Sequence, residues 1–210
     1  RDVERSRGLG DVYKRQVSAA LGEPMRIAER ALIQEDKVFV LLRKSAKYDA
    51  VFGVASANKD GSEKCGDTHC VERLESDKFL VALSDGMGSG VKANILATLT
   101  SKILCTMVAE DIPLDECIET IIQSLPVCKV RGVAYATFSV IHLNRNGEGY
   151  LVEFDNPQAI FVRDGKCGDL EREELNVLGK KVYKSALKLK ENDAVLVMSD
   201  GTIHAGIGML

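Results

Sequence analysis

Two tripeptides of identical sequence are placed to do chemistry. Ser84-Asp85-Gly86 follows the apolar run Phe79-Leu-Val-Ala-Leu83, and Ser199-Asp200-Gly201 follows Ala194-Val-Leu-Val-Met198. Each sets a carboxylate where an apolar strand ends, followed by a glycine that can turn sharply and expose its carbonyl. The two aspartates are 115 residues apart (200 − 85), so they meet only if one core brings both strands together. Carboxylates that converge repel one another unless a cation sits between them, and hard divalent cations take oxygen ligands. A third acid, Asp67 of Gly66-Asp67, lies 18 residues before Asp85 (85 − 67), in a charged loop. The plain alternative is that all three belong to ordinary polar turns.

The elements that must position these acids follow from the hydrophobic pattern. Lys37–Leu42, Tyr48–Ala57 and Phe79–Leu83 carry the β-branched and small apolar residues of strands, with the polar loop 58–77 between the last two. From Ser89 the period changes: Ile95, Leu99 and Ile103 recur at i, i+4 and i+8, with Leu96, Leu104, Met107 and Val108 beside them, a helix of about five turns. Pro113, Asp115 and Glu116 suit the first turn of a second helix, whose apolar residues are Leu114, Cys117, Ile118, Ile121, Ile122 and Leu125. Ala134–Leu143, Tyr150–Phe154, Ala159–Val162, a segment around Val182–Leu189, and Ala194–Met198 then read as strands. Short strands interrupted once by a helix pair predict an α+β sandwich rather than repeated βαβ units.

Composition narrows the function classes. The 210 residues carry a net charge of −3, which leaves no basic footprint for nucleic acid. The sequence pattern contains no membrane segment of about 20 apolar residues and no signal peptide. Six cysteines without a CxxC pair are expected to be reduced thiols in a cytoplasmic domain, although a full-length protein could be tethered to a membrane through other regions. Cys65, His69 and Cys70 offer a zinc-ligand grouping that lacks a second pair nearby. Residues 1–16, polar and without a clean period, are set aside as a non-native or disordered leader; 17–47 form an N-terminal extension or first strand, and 48–210 the main domain. The chain stops at Leu210, ten residues after Asp200, and is expected to be a fragment.

Gly66-Asp67, Leu83-Ser-Asp-Gly-Met-Gly-Ser-Gly90 with Val91-Lys-Ala93, and Met198-Ser-Asp-Gly201 resemble, in order and spacing, the metal-dependent PPM (PP2C-type) serine/threonine phosphatases, in their stage II sporulation protein E branch. The resemblance covers roughly 48–210. It implies a PP2C-like β-sandwich of two mainly antiparallel sheets flanked by helices (α-β-β-α), with the C-terminal strands missing from this chain. It also implies two Mn²⁺ or Mg²⁺ ions, bridged by Asp85, joined by the Gly86 carbonyl, and each served by Asp67 or Asp200. Those three aspartates form the implied catalytic set, with water activated between the two cations attacking phosphorus directly. The implied substrate is a phosphorylated serine or threonine protein of bacterial sporulation or sigma-factor signalling, such as an anti-sigma factor antagonist. A regulatory domain or a dimer partner would complete the assembly.

Two departures from the wider family stand out. Many of its members carry His where this chain has Met87, which cannot donate a proton to a leaving alcohol; His69 and His204 lie near the motifs. The family also places a further metal-binding aspartate beyond the second Ser-Asp-Gly, so the 210 residues are expected to lack one ligand and to be inactive alone. Three other readings remain. Gly86-Met-Gly88-Ser-Gly90 echoes a dinucleotide-binding turn, but with the spacing GxGxG. Asp85-Gly-Met-Gly88 loosely matches the turn of GHKL-like ATP-binding kinases and ATPases, which would require an upstream helix bearing Asn. A truncated domain that only binds a partner through the helix pair is the third.

Overall fold

The computed structural model describes every residue except 1, 35–36, 46–47, 59–63, 75–77, 89, 125–135 and 205–210. The chain divides into two units, residues 1–47 and 48–210. In the first, helix α1 (Asp2–Leu21) precedes an antiparallel hairpin of β1 (Met25–Gln34) and β2 (Lys37–Lys44). The turn between helix and hairpin is held by Ser18, whose Oγ accepts from the Met25 N–H at 3.0 Å and donates to the Lys14 carbonyl at 2.7 Å. The segment set aside at 1–16 thus lies, from Asp2 on, within one helix, and β1 is a strand that the mixed pattern of 17–45 did not show.

In the second unit, β3 (Thr68–Arg73), β4 (Phe79–Gly86), helices α2 (Val91–Ala109) and α3 (Leu114–Ser124), β5 (Ala136–Leu143) and β6 (Glu148–Phe154) follow in order. Then come β7 (Ile160–Arg163), β8 (Lys166–Gly168), β9 (Glu173–Val177), β10 (Lys180–Lys188), β11 (Ala194–Leu196) and the single turn α4 (Asp200–Ile203). The strands form a six-stranded sheet, β3-β4-β5-β6-β10-β9, and a three-stranded sheet, β11-β7-β8. Every neighbouring pair is antiparallel. This is the expected α+β architecture of antiparallel sheets with a helix pair.

Strand alternation gives β4 two faces and the unit two cores. Leu80 and Ala82 pack with Leu104, Val108, Ile118, Ile121, Phe138 and Phe154 beneath the helices. Val81 lies on the other face with Ile141, Leu151, Leu187 and Val195, between the sheets. At about 25 cal/mol per Å² of apolar surface removed from water, these layers are the main stabilising term.

Three sequence readings are corrected. Tyr48–Ala57 forms no strand: the Tyr48 N–H donates to the Arg145 carbonyl at 3.3 Å but the segment joins no sheet, and Val51 is 97% exposed. β4 does not end at Leu83 but runs through Gly86, which pairs with Ala136 on β5. The stripe Ile95, Leu99 and Ile103 on α2 faces outward, 52%, 52% and 37% exposed. The buried face is instead built from Ala93, Ala97, Thr100, Ser101, Leu104, Cys105 and Val108. The reason is distance, since small residues let the helix lie close to the sheet, and a Cβ on Gly86 would sit 2.1 Å from the Ala93 carbonyl oxygen. α2 is long and apolar enough, by length and composition, to cross a membrane; here it seats on β3, β4 and β5.

Candidate metal centre

Asp85 is the penultimate residue of a central strand, directly opposite Thr137 on β5. Its flanking residues Ser84 and Gly86 are fully buried, and Ser84 Oγ donates to the Thr137 carbonyl at 2.8 Å. The aspartate therefore stands on backbone held by the β5 ladder, between two buried neighbours. Beyond it the chain turns through Gly88 (φ +100°) and Gly90 (φ +78°), left-handed conformations open to glycine, and Gly90 caps α2.

Asp67 is pinned beside it from both sides. Asn94 Nδ2, on the first turn of α2, donates to the Cys65 carbonyl at 2.9 Å, and the Thr68 and Ser101 hydroxyls pair at 3.2 Å. Between them, Gly66 sits over the Gly86 and Gly88 carbonyls; a Cβ there would lie 3.4 and 3.5 Å from those oxygens. The Gly86 carbonyl, the backbone ligand the resemblance implies, is thus next to the residue preceding Asp67.

Asp200 arrives from the other sheet. β11 ends at Leu196, the chain continues without ladder pairing to Ser199, and Asp200 opens α4. Ser199 is buried, and its Oγ donates to Asp67 Oδ2 at 2.7 Å. That bond spans 132 residues of sequence and ties the second motif to the first acid.

The three acids meet. Asp85 lies within side-chain hydrogen-bonding reach of both Asp67 and Asp200. Burial, then the Asp67 and Asp200 carboxylates, push the Asp85 carboxyl up to about 8. Among the described residues no lysine or arginine forms an ion pair with any of the three. A cluster of hard oxygen donors with unbalanced negative charge fits Mn²⁺ or Mg²⁺ and not a soft metal.

Sequence reasoning missed the supports. Ser199 carried a signal, being the repeated Ser of the motif, but its target could be known only from the fold. Asn94, Thr68 and Ser101 carried none, and neither did Asn156, whose amide bonds the Thr137 hydroxyl on one side and Ser139 Oγ on the other. His69 and His204 are exposed, and Met87 occupies the position after Gly86. A cavity of about 320 Å³ between β3 and α2 is lined by Asp67, His69, Cys70 and Lys102 among others and touches the acid cluster only through Asp67. The Cys65–His69–Cys70 grouping is not assembled: Cys65 Sγ points to the Ala57 carbonyl, and His69 and Cys70 alternate to opposite faces of β3.

The fold also decides against two rival readings. β3, β4 and β5 are antiparallel neighbours, so the glycine turn opens no βαβ unit. Residues 68–73, where a GHKL-like pocket calls for helix, form a strand.

Residues 75–208 match the family model "Stage II sporulation protein E (SpoIIE)". The chain belongs to the SpoIIE family. It is 27% identical over 170 residues to stage II sporulation protein E of Bacillus subtilis, a match covering 77% of this chain and 20% of that protein. The match to the same protein of Priestia megaterium covers 26% of its length, so this SpoIIE family chain spans about a fifth to a quarter of these relatives. Among solved structures, the PP2C phosphatase domain with a fragment of the regulatory domain of Bacillus subtilis SpoIIE superposes with a TM-score of 0.70 at 21% identity. It covers 90% of this chain and 57% of that one. RsbX in complex with magnesium superposes with a TM-score of 0.53 at 21% identity, covering 69% of this chain and 71% of that one. The fold of this SpoIIE family member is therefore that of a PP2C phosphatase domain.

Proposed function

We propose that this chain is the catalytic region of a metal-dependent phosphatase that hydrolyses phosphoserine or phosphothreonine on a protein of bacterial sporulation or sigma-factor signalling. The single observation that carries the reading is the convergence of Asp67, Asp85 and Asp200 from three separate segments, with no side-chain cation among them. SpoIIE family membership and the PP2C-type fold support it.

Asp67, Asp85, Asp200 and the Gly86 carbonyl would hold the divalent ions as the protein's share of the ligands. Mn²⁺ and Mg²⁺ both suit these oxygens; the magnesium in the RsbX structure supports the latter. When bound, such ions supply positive charge to phosphoryl oxygens and lower the pKa of water. The chain's own residues hold the geometry. Ser199 fixes the Asp67 carboxylate, the strand ladder fixes Asp85, and Asn94 with the Thr68–Ser101 pair fixes the Asp67 backbone. Burial and the neighbouring Asp67 and Asp200 carboxylates raise the Asp85 carboxyl, so holding a cation there would favour release of its proton.

The proposed substrate is a phosphorylated partner-switching protein such as an anti-sigma factor antagonist, with a regulatory domain or second protomer as the other partner. The proposed setting is the cytoplasm, which fits the free thiols of Cys65, Cys70, Cys105, Cys117 and Cys167. The test is phosphate release from a phosphoserine protein and from p-nitrophenyl phosphate by the full-length protein, with Mn²⁺ or Mg²⁺ added. Release that requires the metal and is lost in Asp85→Asn is expected. Absence of both metal binding and release would leave a partner-binding domain instead.

A further inference from the structure

A second cluster of metal-ligating side chains lies outside the aspartate centre. Cys70 and Glu72 sit two apart on β3 and so share a face. Their ladder partners, Ala82 and Leu80, belong to the core beneath α2, which places that face toward the helix. There Cys105, buried on α2, meets them: one ligand atom from each of Cys70, Glu72 and Cys105 lies within 4.8 Å of the other two. Cys70 Sγ stands 3.5 Å from Glu72 Oε1.

We propose that Cys70, Glu72 and Cys105 form a site for a soft divalent cation of the zinc class, separate from the aspartate centre. A tetrahedral zinc ion, bonded at about 2.3 Å to sulfur and about 2.0 Å to oxygen, holds its donors about 3.5 Å apart. The Cys70–Glu72 separation already has that value, and the remaining gaps close by side-chain movement. β3 is an edge strand, so water can take the fourth position.

The donor chemistry separates this site from the first. Two sulfurs and one carboxylate select zinc-like ions over Mg²⁺ or Mn²⁺, whereas the three aspartates do the reverse. Without a cation both thiols are protonated, because burial and the Glu72 charge push them up; binding releases those protons. Occupancy would fasten β3 to α2, three residues from Asp67 and on the helix that follows Asp85. The site is thus placed to stiffen the frame of the aspartate centre without touching it.

Cobalt titration of the full-length protein under reducing conditions tests this. One Co²⁺ per chain should give a thiolate-to-cobalt charge-transfer band that Zn²⁺ abolishes. Cys70→Ser should cut the band to half or less and weaken zinc binding at least about tenfold, and Glu72→Gln should weaken it less. Asp85→Asn should leave the band intact, which separates this outcome from any failure of the phosphatase reading. Cys105 is buried and Cys105→Ser could fail to fold, so the two β3 variants carry the test. A folded chain without the band, or a band unchanged in Cys70→Ser, overturns the proposal: Cys70 then only donates a hydrogen bond to Glu72.

Discussion

The two Ser-Asp-Gly tripeptides are the same in sequence and opposite in construction. At 84–86 the motif is strand: Ser84 is spent on the Thr137 carbonyl, Gly86 is closed over by Ala93, and the backbone is paired with β5 throughout and with β3 at Ser84. At 199–201 the motif is a loop entering one turn of helix: Asp200 and Gly201 are exposed, and a Cβ on Gly201 would meet only Ser199 Oγ at 4.0 Å. The second serine does what the first cannot, because it holds another acid, Asp67. One copy supplies a rigid seat for the central carboxylate; the other delivers a carboxylate and a clamp from the opposite sheet.

Substitutions at matched positions should break this comparison unevenly. Asp85→Asn is expected to have the largest effect, lowering metal-dependent phosphate release about a thousandfold or more while circular dichroism shows the sheet intact. Gly86→Ala comes next: the 2.1 Å approach to the Ala93 carbonyl forces the helix off the sheet, a cost of about 1–3 kcal/mol or more in denaturant melts, with activity lost as well. The serines should then split by readout. Ser199→Ala removes the donor to Asp67 and should lower activity and metal affinity; Ser84→Ala should cost about 1 kcal/mol of stability and spare most activity.

A pH series sharpens the contrast further. Because the folded carboxyl of Asp85 is raised to about 8, the metal-free folded state keeps a proton that the unfolded chain has lost above about pH 4. Its contribution to stability is full below about pH 4 and is lost as pH rises through about 8. Thermal melts should show this fall in the wild type, a smaller one in Asp85→Asn, and relief on adding Mn²⁺. Gly201→Ala should have the smallest effect, within about 0.5 kcal/mol.

Much of the fold was legible. α2, α3 and the strands β4, β5, β6, β7 and β11 fall where apolar periodicity places them, because each is a run of apolar residues bounded by turn formers. Other elements were not. β1 and β9 carry mixed polar residues that only a ladder partner recruits into a sheet, and Tyr48–Ala57, with strand-like residues, joins no sheet. The α2 face failed for a different reason. Period alone cannot choose between a stripe of large residues and one of small residues, and close approach to Gly86 selects the small one.

By itself the sequence determined which chemistry was available: three carboxylates, two of them tied to Ser and Gly at strand ends, and Met87, not a histidine, two residues after the central one. Their type and spacing are local facts, written in the chain. Only the tertiary structure decided that Asp67, Asp85 and Asp200 share one site, that Ser199 reaches Asp67, and that Cys70, Glu72 and Cys105 gather behind it. Those meetings depend on strand register and on the helix-to-sheet distance, which are set by packing across the whole core and not by any one segment.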